Sequence, residues 1–137
     1  MVDVFTIGIA TRDVFLASKH FQVLRDPEHL KRIGLTTGEA ACLALGSKLE
    51  VREPLFTVGG GAANAAVAFS RQGLKTASLI RIGADEAGEA VVRTLRGEGV
   101  APLAVRDRKV GTAYATVLLT ESGERTILVY RGATHGF

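Results

Sequence analysis

The sequence predicts an α/β fold in which a mostly parallel sheet is flanked by helices. Short apolar, β-branched runs recur at 2–10, 76–82 and 100–105, the signature of strands buried on both faces. Between them, 62–72 and the stretch opening at Asp85 carry apolar residues at helical spacing. Glycines stand at the junctions: Gly59, Gly60 and Gly61 before the first of these helices, Gly73 after it, and Gly97 and Gly99 after the second. Strands that alternate with helices in this way build βα units and hence a parallel sheet.

The first strand, 2–10, leads to Thr11, Arg12 and Asp13. Ligands of open α/β sheets gather beyond the carboxyl ends of the strands, so Asp13 is placed to accept hydrogen bonds from ligand hydroxyls. Residues 14–23 read as a strand leaving the sheet. Asp26 as N-cap and Pro27 at the first helical position open a short helix that ends near Gly34. Thr36, Thr37 and Gly38 mark a turn, and 39–45 fits helix or strand equally. Residues 48–58 read as a strand, which Pro54 assigns to an edge or a bulge.

The helix at 62–72 presents Ala63, Ala66, Val67 and Ser70 on one face, small enough for close approach to the sheet. Its first turn carries Asn64 and offers unpaired N–H groups at the positive end of the helix dipole. A glycine-rich turn, free amides and one side-chain amide make a site for a hydroxyl-bearing or anionic ligand. Asp85 opens the next helix, with Glu86 and Glu89 near its positive end and Arg93 and Arg96 near its negative end. Ala87, Ala90, Val91, Thr94 and Leu95 form its packing stripe. Residues 111–120 and 125–131 form a hairpin around Glu121, Ser122, Gly123 and Glu124, with Ala113, Ala115 and Val117 on one face.

Composition narrows the function classes. One domain is the expectation at 137 residues, and the 47% hydrophobic content suffices for a core. The net charge is +3, but its basic residues are scattered without interleaved aromatics, which argues against nucleic acid. Cys42 is the only cysteine, so no intrachain disulfide forms, which fits a reducing compartment. A partly buried position suits it best. His20 and His29 read as surface residues, and no His or Cys cluster has metal-ligand spacing. The amino terminus lacks the basic region of a signal peptide, and no apolar run reaches membrane-spanning length. A cytoplasmic protein is expected.

The stretch from Gly59 to Gly83 resembles the first signature of the ribokinase-like, or PfkB, family of carbohydrate and nucleoside kinases. That signature asks for two glycines, a small residue, an asparagine, another small residue and two later glycines. Gly59, Gly60, Ala62, Asn64, Ala66, Gly73 and Gly83 fill those positions in order. The order Gly8, then Asp13, is similar to the family's first strand and sugar-binding aspartate. Gly83, Asp85 and Gly88 resemble a further family motif, in which Asp85 shapes the loop and caps the helix.

The resemblance implies a Rossmann-like (ribokinase-like) sheet with a small β-sheet lid, its strands near 14–23, 48–58, 111–120 and 125–131. It implies that Asp13 and Asn64 hold sugar hydroxyls and that Gly59 and Gly60 let the sugar approach the backbone. By the same analogy Ala115, Val117 and Val129 cover the substrate, a sugar or nucleoside. Arg125 and Arg131 read as solvated strand-end charges within reach of a substrate phosphate. The implied reaction is transfer of the γ-phosphoryl group of ATP, with Mg²⁺, to a sugar hydroxyl. In the family the general-base aspartate lies in a Gly-Ala-Gly-Asp-like motif of the second half, together with the nucleotide site. No such motif occurs here.

The expectation is therefore that 1–137 is the N-terminal part of one ribokinase-like domain, without its C-terminal half and inactive alone. No catalytic residue and no metal ligand is assigned within it. The expected partners are the C-terminal half and a second copy, meeting the lid or the sheet face left open after Phe137. The alternative is a non-catalytic sugar-binding or dimerisation module. A dinucleotide-binding domain ranks last, because neither Gly8 nor Gly59 begins a complete Gly-x-Gly-x-x-Gly.

Overall fold

The computed structural model describes residues 1–136; the boundary expected at Phe137 lies outside the described residues. In chain order the elements are β1 (Val4–Gly8), β2 (Thr11–Ala17), β3 (Gln22–Arg25), α1 (Pro27–Arg32), β4 (Glu39–Cys42), β5 (Leu55–Gly59) and α2 (Gly61–Arg71). There follow β6 (Thr76–Gly83), α3 (Glu86–Gly97), β7 (Ala101–Asp107), β8 (Tyr114–Leu119), β9 (Arg125–Tyr130) and a 3₁₀ turn at Gly132–Gly136. They divide into two compact units: Met1–Val14, Phe56–Ala115 and Val129–Phe137 form the first, and Phe15–Leu55 with Thr116–Leu128 the second.

The first unit holds the parallel sheet, in the order β1–β6–β7. β6 is its centre, and Ser78, Ile80 and Ile82 on one face are fully buried. Against that face pack Ala63 and Ala66 of α2 and Val91 and Leu95 of α3. Each large apolar side chain buried here contributes about 1.5–3 kcal/mol relative to exposure. Val92 is buried and Thr94 exposed, so the α3 stripe is turned slightly from the one expected. Thr6 Oγ1 donates either to Ser78 Oγ (2.8 Å) or to the Ala62 carbonyl (3.1 Å), joining β1, β6 and the first turn of α2. The other face of the sheet is open. In register, Ile7, Leu79 and Leu103 form one row across it, and Phe5, Ile7, Leu103 and Val105 are half-exposed or more.

β2, β5, β8 and β9 make a second sheet in the order β5–β2–β8–β9, and the division between the units falls within these strands. Three of its members differ clearly from the expected bounds; the strand read at 111–120 is confined to Tyr114–Leu119. The strand read at 14–23 begins at Thr11 and stops at Ala17, where the Ser18 hydroxyl donates to the Glu50 carbonyl at 2.5 Å. The strand read at 48–58 is confined to Leu55–Gly59, and Pro54, which has no N–H for a ladder, precedes it. β5 is an edge strand, as expected.

In the second unit, β3 pairs antiparallel with β4, so that Glu39–Cys42 of the ambiguous 39–45 stretch is a strand. Between them α1 is capped by Asp26, whose carboxylate accepts the His29 N–H at 3.0 Å. Cys42 is exposed rather than partly buried, because the short β3–β4 ribbon gives it nothing to pack beneath. The β8–β9 turn is braced by Thr120 and Ser122, whose hydroxyls donate to Glu124. These bonds, with the nearby Arg25 guanidinium, hold the Glu124 carboxyl down at about 2.

Candidate functional site

The site grows from the way β1 hands the chain to β2. Gly8 ends β1 at φ +143°. Ile9 and Ala10 then carry the chain into β2, where Thr11 and Asp13, two apart on a strand, share one face. The Thr11 hydroxyl donates to Asp13 Oδ1 at 2.6 Å. This fixes one carboxylate oxygen and leaves acceptor capacity on both.

β5 brings Gly59 and Gly60 against this corner. A β-carbon on Gly59 would lie 2.2 Å from Asp13 Oδ2 and 2.9 Å from Thr11 Oγ1. A β-carbon on Gly60, where φ is +95°, would lie 2.4 Å from the Ile9 carbonyl oxygen. The chain's own carboxylate and carbonyl thus occupy the space beside these glycines. Their absence of side chains is required by internal contact, whatever a ligand also needs. Arg12, between Thr11 and Asp13, points elsewhere: its guanidinium stacks 5.0 Å from the Phe56 ring centroid and donates to the Thr57 carbonyl.

α2 starts immediately beyond. Gly60 is its N-cap and supplies no side-chain acceptor, so the first-turn amides keep their donor capacity. The Asn64 N–H closes the first turn on the Gly60 carbonyl at 2.9 Å. The Asn64 side chain is exposed and lines a hollow of about 480 Å³ with Phe56, Thr57, Val58 and Arg71. The structure therefore unites Asp13, Gly59 and Gly60, and places Asn64 at the end of the first turn of α2, on the hollow lined by Phe56 and Arg71.

Of the three residues expected to cover a substrate, Ala115 and Val117 are buried, 7% and 3% exposed, while Val129 is 60% exposed. β8 turns its Ala115 and Val117 face inward. All of β9 is exposed, including Arg125, and Arg131 follows it, also exposed.

A second polar centre is built on Asp85. Its Oδ1 accepts from the Gly88 N–H (2.8 Å), which caps α3, and from the Thr112 hydroxyl (2.6 Å). Its Oδ2 accepts the Thr112 N–H at 2.8 Å. Burial pushes this carboxyl up, but the Thr112 and Gly88 bonds outweigh it and hold it below the usual carboxylate range. The flanking glycines serve the same clasp. A β-carbon on Gly83 would strike the Thr112 amide nitrogen at 2.5 Å, and one on Gly88 the Gly83 carbonyl oxygen at 2.5 Å. Ala113, next to Thr112, accepts the Arg12 N–H at 2.9 Å, so the clasp supports the strand that carries Asp13.

The model of the pfkB family carbohydrate kinases matches residues 28–137. The chain belongs to that family. Over 78 residues it is 35% identical to a bifunctional ribokinase/ribose-5-phosphate isomerase A of Fructilactobacillus sanfranciscensis, which covers 55% of this chain and 14% of that protein. Over 74 residues it is 38% identical to a probable fructokinase-4 of Arabidopsis thaliana, covering 53% of the chain and 23% of the relative. The ribokinase from Giardia lamblia superposes with a TM-score of 0.74 at 19% identity, over 97% of this chain and 37% of that one. Arabidopsis thaliana ribokinase, solved with ribose and ATP, gives 0.74 at 20% identity with the same coverage. The chain thus spans well under half the length of these PfkB relatives. The likeness to the two ribokinase structures establishes the ribokinase-like fold. No helix among the described residues is long and apolar enough to cross a membrane.

Thr11 is the hydrogen-bond partner of Asp13 that sequence reading passed over, although its two-residue spacing from Asp13 was visible. Thr112 as the partner of Asp85 had no local signal, since the two are 27 residues apart.

Proposed function

We propose that this chain forms the sugar-facing wall of an ATP-dependent carbohydrate kinase, one that transfers the γ-phosphoryl group to a sugar hydroxyl. The observation that carries the reading is the Asp13 carboxylate held by Thr11 against the backbone of Gly59. It supports a role for Asp13 as a fixed acceptor for sugar hydroxyls, oriented before the ligand arrives. The first-turn amides of α2 offer donors to the same ligand, and Asn64 adds a side-chain amide from the end of that turn. A fixed acceptor costs less ordering on binding than a mobile one.

In this reading ATP with Mg²⁺ supplies the transferred group. Among the described residues no three His, Cys, Asp or Glu side chains gather into a metal cluster. The residues here thus assign no holder for the ion, and no step is derived through it. The general base, the nucleotide site and any second copy at the lid belong to the whole enzyme under the same reading.

The test is an amide-resolved NMR titration of the chain with ribose and with fructose. Saturable shifts are expected at Gly59, Gly60 and Asp13. Asp13→Asn should weaken binding about tenfold or more, the value of a hydrogen bond to a charged acceptor. Sugars that leave these amides unmoved, or that bind Asp13→Asn equally well, would overturn the proposal.

A further inference from the structure

Arg12 stands on β2 between Thr11 and Asp13, so its side chain leaves the strand on the face opposite theirs. It reaches across to β5. Its guanidinium lies 5.0 Å from the Phe56 ring centroid, within the range of a cation–π contact. Its Nη1 donates to the Thr57 carbonyl at 3.3 Å. Among the described residues no carboxylate forms an ion pair with it. The Arg12 N–H goes to the opposite neighbour, the Ala113 carbonyl, at 2.9 Å, a bond that any residue except proline can make. What the arginine side chain adds is therefore its hold on β5.

β5 needs such a hold. It is five residues long and lies at the edge of its sheet, paired with β2 alone. Phe56, near its start, is half-exposed and buries little. Three residues later the tolerance for movement ends. The Asp13 carboxylate fills the side-chain space of Gly59, and the Ile9 carbonyl fills that of Gly60. Any shift of β5 away from β2 would part Gly59 from Asp13. Asp13 and Thr11 meet β5 on one face of β2, and Arg12 grips it from the other. Arg12, Asp13, Phe56, Thr57 and Gly59 all belong to the first compact unit.

We propose that Arg12 is a positioning residue of the sugar site: by holding β5 on β2 it keeps Gly59 against Asp13 and so fixes the direction in which the carboxylate meets a sugar hydroxyl. The assignment rests on the sugar-binding reading above and adds how that site is kept in its binding form. Arg12 itself, on the far face of β2, touches no sugar in this arrangement. When a site spends a smaller fraction of its time in the binding form, its apparent Kd rises in proportion. A cation–π contact on a half-exposed ring and one long hydrogen bond are each modest. Their loss should therefore weaken sugar binding several-fold rather than abolish it.

The experiment is the titration with ribose and with fructose, run on the wild type, Arg12→Met, Arg12→Lys, Phe56→Leu and the double variant of Arg12→Met with Phe56→Leu. Methionine keeps an apolar stem without the charge, and lysine keeps the charge without the planar fork. Arg12→Met should weaken binding about threefold or more, and Arg12→Lys should recover part of that loss. Phe56→Leu should weaken binding by a smaller factor. The double variant should bind more tightly than the product of the two single factors allows, because both changes break one contact. In the free variants the Gly59 and Gly60 amides should shift while those of Ile80 and Val91 in the core stay in place, which separates lost positioning from lost fold. If the wild type binds a sugar and Arg12→Met binds it equally well, or if the two factors simply multiply, this inference falls while the sugar reading stands. Should Arg12→Met lose the native dispersion, Arg12→Lys and Phe56→Leu decide, and wild-type affinity in both overturns the inference. If no sugar moves Gly59 or Gly60 in the wild type, both readings fall.

Discussion

The Cα of Gly59 faces the carboxylate of Asp13 so closely that the two residues exclude any side chain between them: a β-carbon on Gly59 would sit 2.2 Å from Asp13 Oδ2. Asp13 owes its position to this packing as well as to the Thr11 hydroxyl. The glycine in β5 and the acid in β2 are therefore one structural unit, though 46 positions separate them in the chain.

That unit predicts a non-additive pair of substitutions. Gly59→Ala should destabilise the chain by about 1–3 kcal/mol, as overpacking does. In an Asp13→Ala background the same change should cost less, with a coupling of about 0.5–3 kcal/mol. Thr11 Oγ1, at 2.9 Å from the new carbon, keeps the residual cost above zero. Urea unfolding of the wild type, both single variants and the double variant checks this; strictly additive changes would sink it.

Adjacent glycines should respond in opposite directions. Gly60 combines φ +95° with the Ile9 carbonyl in its side-chain space, so Gly60→Ala should cost about 2–4 kcal/mol from strain and overlap. Gly61 has no atom within 4 Å of its would-be β-carbon and no positive φ. Gly61→Ala, at the first helical position, should be neutral or stabilise by about 0.4–1 kcal/mol. Thermal melts followed by circular dichroism separate the two; equal effects would contradict the geometry.

Asp85 predicts an acid limb. Its folded-state carboxyl lies below the ordinary range, so its ionised form contributes stability above the unfolded value of about 3.9, and that contribution is lost as pH falls through the folded value. Asp85→Asn should cost about 1–3 kcal/mol at pH 7. The gap between the wild type and Asp85→Asn should narrow below about pH 4. Melting temperatures of both proteins between pH 3 and 7 measure the gap, and a gap independent of pH would show that Asp85 acts without its charge.

Local pattern was enough for much of the architecture. The β-branched runs around Ile7 and Ile80, and the stripe through Val91 and Leu95, encode strand and helix in nearest-neighbour chemistry, and both appeared where expected. The Asp26 and Asp85 caps likewise depend only on residues three positions away. Strand limits were less legible, because the end of β2 at Ala17 is set by the Ser18 bond to Glu50, a residue 32 positions on. Cys42 was misread because burial depends on what a ribbon packs against, which composition does not record.

The candidate site divides the same way. By itself the sequence placed Gly59, Gly60 and Asn64 in one glycine-rich motif and Asp13 just beyond the first strand, since these features lie in residue types at set spacing. Only the tertiary structure decided that Asp13 fills the space beside Gly59, that Asn64 lines a hollow with Phe56 and Arg71, and that Ala115 and Val117 are buried while Val129 is open. It also brought Arg12 to Phe56 and Thr57. The reason is physical: each of these facts depends on which distant backbone comes within van der Waals range, and chain folding, not spacing along the sequence, sets that distance.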